Sequence, residues 1–224
     1  MPGERGALTA GVAVLVVSLA AVVGPLLGIP PWLIALAAGL ALAALTADAA
    51  FFGGRGGHLV AEALPGGVGR LRRIAVHEAA HGLLARAEAV PVRRVLVGTW
   101  ASLQAGVTSG GSTEFDLPAA AKMPLSELRR WTRVLLAGMV AEELVYGGSI
   151  GGADDRAQLG RLWGLSGYDV TTAQREQRQA RRDVKRWLGQ RRQELEERAE
   201  GLVRAAPRLG RPLPAPAPPE PSRP

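Results

Sequence analysis

IAVHEAAHGLLARA, Ile74 to Ala87, carries two of the chain's three histidines, four residues apart, with a glutamate directly after the first. Leu71, Ile74, Ala75, Leu83 and Leu84 recur at helical spacing, and Pro91 marks a limit, so residues 68–90 are expected to form a helix. Residues i and i+4 share a helix face, so His77 and His81 can both reach one ion, at about 2.0–2.1 Å for zinc. Glu78 stands one step round the helix, at the edge of that ion. There it can take a proton from a water that the ion polarises and pass it to a leaving amine. That chemistry is metal-assisted hydrolysis.

A catalytic zinc site takes three protein ligands and keeps one position open. The chain has no cysteine, so thiolate sites and disulfides are excluded and the third ligand is a histidine or a carboxylate. His58 is the remaining histidine, in the glycine-rich stretch 53–67, and reaches the pair only by a long excursion of that linker. The carboxylate candidates are Glu142 and Glu143 in "AEEL" and Asp154 and Asp155 in "GGADD". The glutamates read equally as a solvated helix end, and the aspartates as an N-cap and first-turn charge. The residues alone leave these four open.

The N-terminal part is of another kind. Gly6 to Gly24 has no charged residue and as a helix would be about 28 Å long, close to a hydrocarbon core. "PLLGIPPW" is a turn signal, and Pro31 to Phe52 is a second apolar run whose only charge, Asp48, lies near its end. A transmembrane helical hairpin over residues 6–52 is expected, preceded by a tail at 1–5. No Lys or Arg lies between the two runs, whereas Arg55, Arg70, Arg72 and Arg73 follow the second. Both ends are therefore expected in the cytoplasm, with the protein in the bacterial inner membrane.

After the linker and the His–Glu helix, "VRRVLVGTWASLQAGVTSG" reads as one or two short strands and "SGGSTEFDLP" as a loop. Pro124 to Tyr146 reads as a long helix, apolar all round at Val134–Ala141 as a buried helix should be, and stopped by Gly147–Gly148. Residues 173–205 read as one Arg/Glu-rich helix, with Val184, Trp187, Leu188, Leu195 and Leu202 on its apolar side. The proline-rich end, 207–224, is expected to be disordered. The fold class is thus mainly α: a membrane hairpin, then a mostly helical domain at 68–206 with a small β element. The net charge of +7 comes with few aromatics, which argues against a nucleic-acid partner and for a face beside a membrane.

Three stretches in order resemble the peptidase domain of the FtsH-type membrane-anchored zinc proteases. "AVHEAAHGLL" is similar to that family's HEAGH helix, "LLAGMVAEELVYGG" to its "GGRAAEEL" helix, and "SIGGADDRAQL" to its "TTGASNDL" turn. The resemblance covers about Val68 to Arg204. It implies a zinc metalloendopeptidase with Zn2+ on His77, His81 and Asp155 and with Glu78 as the catalytic base. The family places an AAA+ ATPase module between anchor and peptidase. Here only the short linker stands there, and Lys122 and Lys185, the only lysines, lie in no phosphate-binding loop. The expected substrates are therefore unfolded or flexible proteins and peptides. A separate AAA+ ATPase partner and a homo-oligomer are left open. The alternative expectation is a catalytically inactive, peptidase-like membrane adaptor.

Overall fold

The computed structural model describes residues 15–52, 67–107, 109–116 and 122–207. The tail at 1–5, much of the first expected span, His58 with most of the linker, and residues 208–224 lie outside the described residues. The chain is mainly helical and divides into two compact units, Met1–Gly57 and His58–Pro224.

In the first unit, α1 covers Leu15–Leu26 and α2 covers Pro31–Phe52. Gly28, at a φ of 75°, makes the turn between them, and the Ile29 N–H donates to the Gly24 carbonyl at 2.9 Å. Gly24 lets the two helices touch: a Cβ there would lie 2.4 Å from Ile34 Cδ1. Only α2 is long and apolar enough, within the described residues, to cross a membrane. It is apolar on all sides and exposes Trp32, Leu36, Leu40, Leu45 and Phe51. Water disfavours such a surface and a hydrocarbon core does not. Thr46 satisfies its hydroxyl on the Leu42 carbonyl at 2.8 Å, as a polar side chain in an apolar helix must.

In the second unit, α3 (Gly67–Ala87) leads to a two-stranded antiparallel sheet, β1 (Val92–Val97) and β2 (Gly111–Phe115), with the short helix α4 (Thr99–Gln104) between the strands. Then come α5 (Leu125–Tyr146), α6 (Ala153–Leu165), α7 (Val170–Gln190) and α8 (Arg192–Ala205). α5 is the centre, packed against α3, α6 and α7, while α3 also meets α8 and both strands. Leu128, Trp131, Val134 and Leu135 of α5 are fully buried. Truncating one such leucine to alanine costs about 2–5 kcal/mol.

Polar links fix the helices around that core. Thr132 of α5 donates to the Leu128 carbonyl at 2.6 Å and accepts from Trp163 Nε1 of α6 at 3.0 Å. Both groups are buried and both are satisfied, which holds α6 in register on α5. Arg133 of α5 makes a two-pronged pair with Glu88, just beyond α3, at 2.6 Å on each prong. Helix α5 ends where Gly147 turns left-handed, at φ 77°, and its N–H caps the Glu143 carbonyl.

Three expectations change. Residues expected as a loop form β2, because Phe115 finds a pocket edge-on to the rings of His81 and Trp131. Thr99–Gln104, read as strand, is a single helical segment with Thr99 and Ser102 buried. The long helix at 173–205 is two helices broken at Arg191, which leaves helical geometry at φ −118° and ψ 27°. Gly189 weakens the helix there, and the bend lets Leu195 and Ala199 bury themselves. Tertiary packing overrides local periodicity in all three.

Candidate metal centre

His77, Glu78 and His81 are all buried, although they lie on a helix with three arginines in its first two turns. Both imidazoles turn Nε2 toward one carboxylate oxygen. His77 Nε2 lies 3.0 Å and His81 Nε2 3.4 Å from Asp155 Oδ2, and the ring centroids are 4.8 Å apart. Tetrahedral coordination at zinc distances separates neighbouring ligand atoms by roughly 3.3 Å. The three side chains form the one group of three or more His, Cys, Asp or Glu, among the described residues, that could hold a metal ion.

The far side of each ring is also occupied. His81 Nδ1 lies 2.8 Å from the Val134 carbonyl of α5. A carbonyl only accepts, so Nδ1 donates there and Nε2 is the nitrogen turned to Asp155. His77 Nδ1 lies 2.8 Å from Glu142 Oε1. Glu142 is itself held by Arg73 Nε at 2.6 Å and by the backbone N–H groups of Ile150 and Gly151 at 2.9 and 3.2 Å. Arg73 also donates to the Gly148 carbonyl. A histidine oriented through its second nitrogen by a carboxylate or a carbonyl is the arrangement that metal ligands use.

Asp155 arrives from the first turn of α6. Gly152, at φ 82°, starts that helix in a left-handed conformation, and a Cβ there would fall 2.3 Å from Met139 Cγ. The helix N-terminus favours the negative charge. Asp154, one residue earlier, is exposed and outside the group, and Glu143 pairs with Arg181 of α7. Of the four candidate carboxylates, only Asp155 completes the group. Glu142 stands behind His77 and orients it.

Glu78 lies beside the cluster. Its Oε2 accepts from the Thr113 hydroxyl of β2 at 2.7 Å, and Gly111 of β2 lets it sit close. Burial is the largest influence on Glu78 and pushes its carboxyl up, against the pull of His81, His77 and the Thr113 hydroxyl. Burial also acts most strongly on His77, but the hydrogen bonds to Asp155 and Glu142 and the charge of Glu78 outweigh it. They raise His77 to about 10. Asp155 is held well below its usual range: burial opposes this, and the two histidines overcome it. Glu142 falls to about 2, its burial offset by His77, the Ile150 N–H and Arg73.

With only protein groups around it, His77 therefore holds a proton where an ion would bind. The two compete, and the sign follows: apparent metal affinity rises with pH until the His77 proton is lost. Between pH 6 and 8 the gain should be roughly tenfold per pH unit for the one proton displaced. Calorimetric titration with a divalent ion in two buffers of different ionisation enthalpy checks this, with about one proton released per ion bound.

Three features of the site carry little sequence signal. Thr113 falls in the expected loop, and Arg73 reads only as a charge beside the membrane. Gly138 of α5 is the third: a Cβ there would lie 2.3 Å from both Cδ2 and Nε2 of His77. Helix propensity alone favours alanine over glycine by about 1 kcal/mol. At Gly138 the sign should reverse, because the methyl group drives the His77 ring off its position. Gly138→Ala should lower both the thermal midpoint and the metal content, whereas Gly160→Ala on α6, where a Cβ meets open space, should raise the midpoint and leave the metal unchanged.

Comparison with protein-family models, with curated proteins and with solved structures finds no match to this chain.

Proposed function

We propose that the chain is a membrane-anchored, zinc-dependent metalloendopeptidase built on a peptidase domain of the FtsH type. The observation that carries this reading is the convergence of three ligand atoms, two of them on rings tied down through their other nitrogen, with a buried glutamate alongside. The donors suit zinc: two imidazole nitrogens and one carboxylate oxygen. A zinc ion there supplies a Lewis acid for the scissile carbonyl and lowers the pKa of a water to about 7. The chain's own residues divide the remaining work. His77, His81 and Asp155 hold the ion. Glu78, its carboxyl raised by burial and aimed by Thr113, accepts the proton of the attacking water and returns it to the leaving amine nitrogen.

The strand that touches Glu78 is β2, through Thr113, so an extended substrate pairs most directly along β2 in this reading. Only residues 53–66 separate α2 from α3, and no unfolding module stands between them. Substrates are then unfolded or flexible chains, unless a separate ATPase delivers them. Helix α2 anchors the protein, with α1 as the first arm of a two-span hairpin. The arginines that follow α2 support a cytoplasmic position for the catalytic domain in this reading.

The test is direct. The full chain, purified in detergent, is expected to carry about one zinc per molecule and to cleave denatured casein. A chelator should stop the cleavage, and added zinc should restore it. Zinc-replete protein that leaves unfolded chains intact would establish the adaptor reading instead.

A further inference from the structure

Helix α7 is the most basic element of the described chain, and its charges are sorted by face. Arg175, Arg178, Arg182, Lys185 and Arg186 fall within an arc of about 100° and run about 17 Å along the axis. All five are exposed. The acids of α7 lie off this arc. Glu176 is buried and committed to Arg129 of α5, by two bonds of 2.7 and 2.8 Å. Asp183 lies on the flank and accepts from Gln179 at 3.0 Å. What reaches the stripe from these acids is loose: Arg175 to Glu176 at 3.8 Å and Arg186 to Asp183 at 3.9 Å. Arg178 and Lys185 have no partner among the described residues. Beside the stripe, a recess of about 450 Å³ between α5 and α7 is lined by Arg129, Arg133, Arg175 and Arg182 together with Glu176 and Asp183, so its charge is largely balanced and the stripe itself carries the excess.

Salt-bridged helix faces normally interleave acids with their bases. On this face only Arg175 and Arg186 have acids, each at the edge of reach, and a row of weakly compensated cations costs self-repulsion that a bound polyanion relieves. Two polyanions fit by charge. Single-stranded nucleic acid needs aromatic faces for its bases, and the stripe has none. Trp187, the aromatic residue of α7, lies off the arc and half-buried, with the Arg191 guanidinium 4.2 Å above its ring. A bilayer surface needs only charge and a way of being near, and a membrane helix on the same chain supplies the second.

We infer that the outward face of α7 is a docking surface for the anionic lipid headgroups of a membrane. The inference rests on the reading of α2 as a membrane anchor, and its partner is defined chemically: a bilayer rich in phosphodiester headgroups with net negative charge. Docking would hold the peptidase domain at the membrane surface, so that lipid charge sets how the domain meets its substrates.

The chain has no cysteine, so one introduced thiol labels one place. Gly189 lies on the same arc, is exposed, and has no neighbour within reach of an added Cβ. The full chain with Gly189→Cys, carrying a fluorescent donor, is reconstituted into phosphatidylcholine vesicles with or without phosphatidylglycerol, each containing a headgroup-labelled acceptor. Energy transfer should be higher in the anionic vesicles. It should fall to the zwitterionic level at ~1 M salt, where the screening length shrinks from about 10 Å to about 3 Å. Combining Arg178→Glu, Arg182→Glu and Lys185→Glu should abolish the difference while metal content and thermal midpoint are retained. Should the triple reversal fold poorly, Arg178→Gln with Lys185→Gln touches only the two unpartnered side chains and should reduce the difference.

Flotation separates this inference from the anchoring on which it rests. A chain that floats with neither vesicle overturns both. A chain that floats with both, with transfer indifferent to lipid charge or to the reversals, overturns the docking surface alone. Retention of single-stranded RNA by protein in zwitterionic vesicles, without any response to phosphatidylglycerol, would reassign the stripe to nucleic acid and overturn it too.

Discussion

Glu78→Gln is expected to keep its zinc and lose its activity. Cleavage of denatured casein should fall by about 10²–10⁴-fold, the usual contribution of a positioned general base. The replacement has nearly the same shape, and its amide oxygen can still accept from the Thr113 hydroxyl, so the contact to β2 survives. The three ligand atoms are untouched, and zinc analysis should return about one ion per chain in both proteins. Stability should not suffer. Burial raises the Glu78 carboxyl, which means that folding disfavours its charged form, and a neutral amide removes that cost. Undiminished cleavage by this variant would remove Glu78 from the reaction, whatever the metal content.

Asp155→Ala should do the opposite and take the metal away. Two histidines remain, but a two-ligand site holds zinc weakly, and the content should drop below about a tenth of an ion per chain after dialysis. Cleavage should fall by about 10³-fold, equivalent to about 4 kcal/mol of lost transition-state stabilisation. The neighbouring Asp154→Ala is the control. That residue is exposed and outside the group of ligand atoms, so zinc content and cleavage should match the parent. Equal loss from both variants would point to damage at the start of α6 rather than to a lost ligand. Full zinc in the Asp155 variant would dismiss the three-ligand metal centre.

The contrast between these two aspartates shows what kind of information the residues hold. His77, Glu78 and His81 come into register through the geometry of one helix. A spacing of four along 3.6 residues per turn brings two imidazoles together whatever the rest of the chain does. The same local logic marks α2 as a membrane-length apolar helix, and α5, apolar on all sides at its centre, as the helix that the domain wraps around. Those readings depend on period and composition alone, and they stand within the described residues.

What the tertiary structure decided lies across elements. Asp155 is 78 residues from His77, and nothing local separates it from Asp154, Glu142 or Glu143. The choice follows from the docking of α6 on α5, fixed by the buried Trp163–Thr132 hydrogen bond, together with the left-handed turn at Gly152. The role of Glu142 follows from Arg73 and the two loop N–H groups that close on it. β2 forms where the sequence suggests a loop because Thr113 and Phe115 meet partners on α3 and α5. Periodicity is a property of one segment, and a helix can be read by itself. A ligand set is a property of how segments pack, and packing is settled by burial and by the pairing of polar groups far apart in the chain.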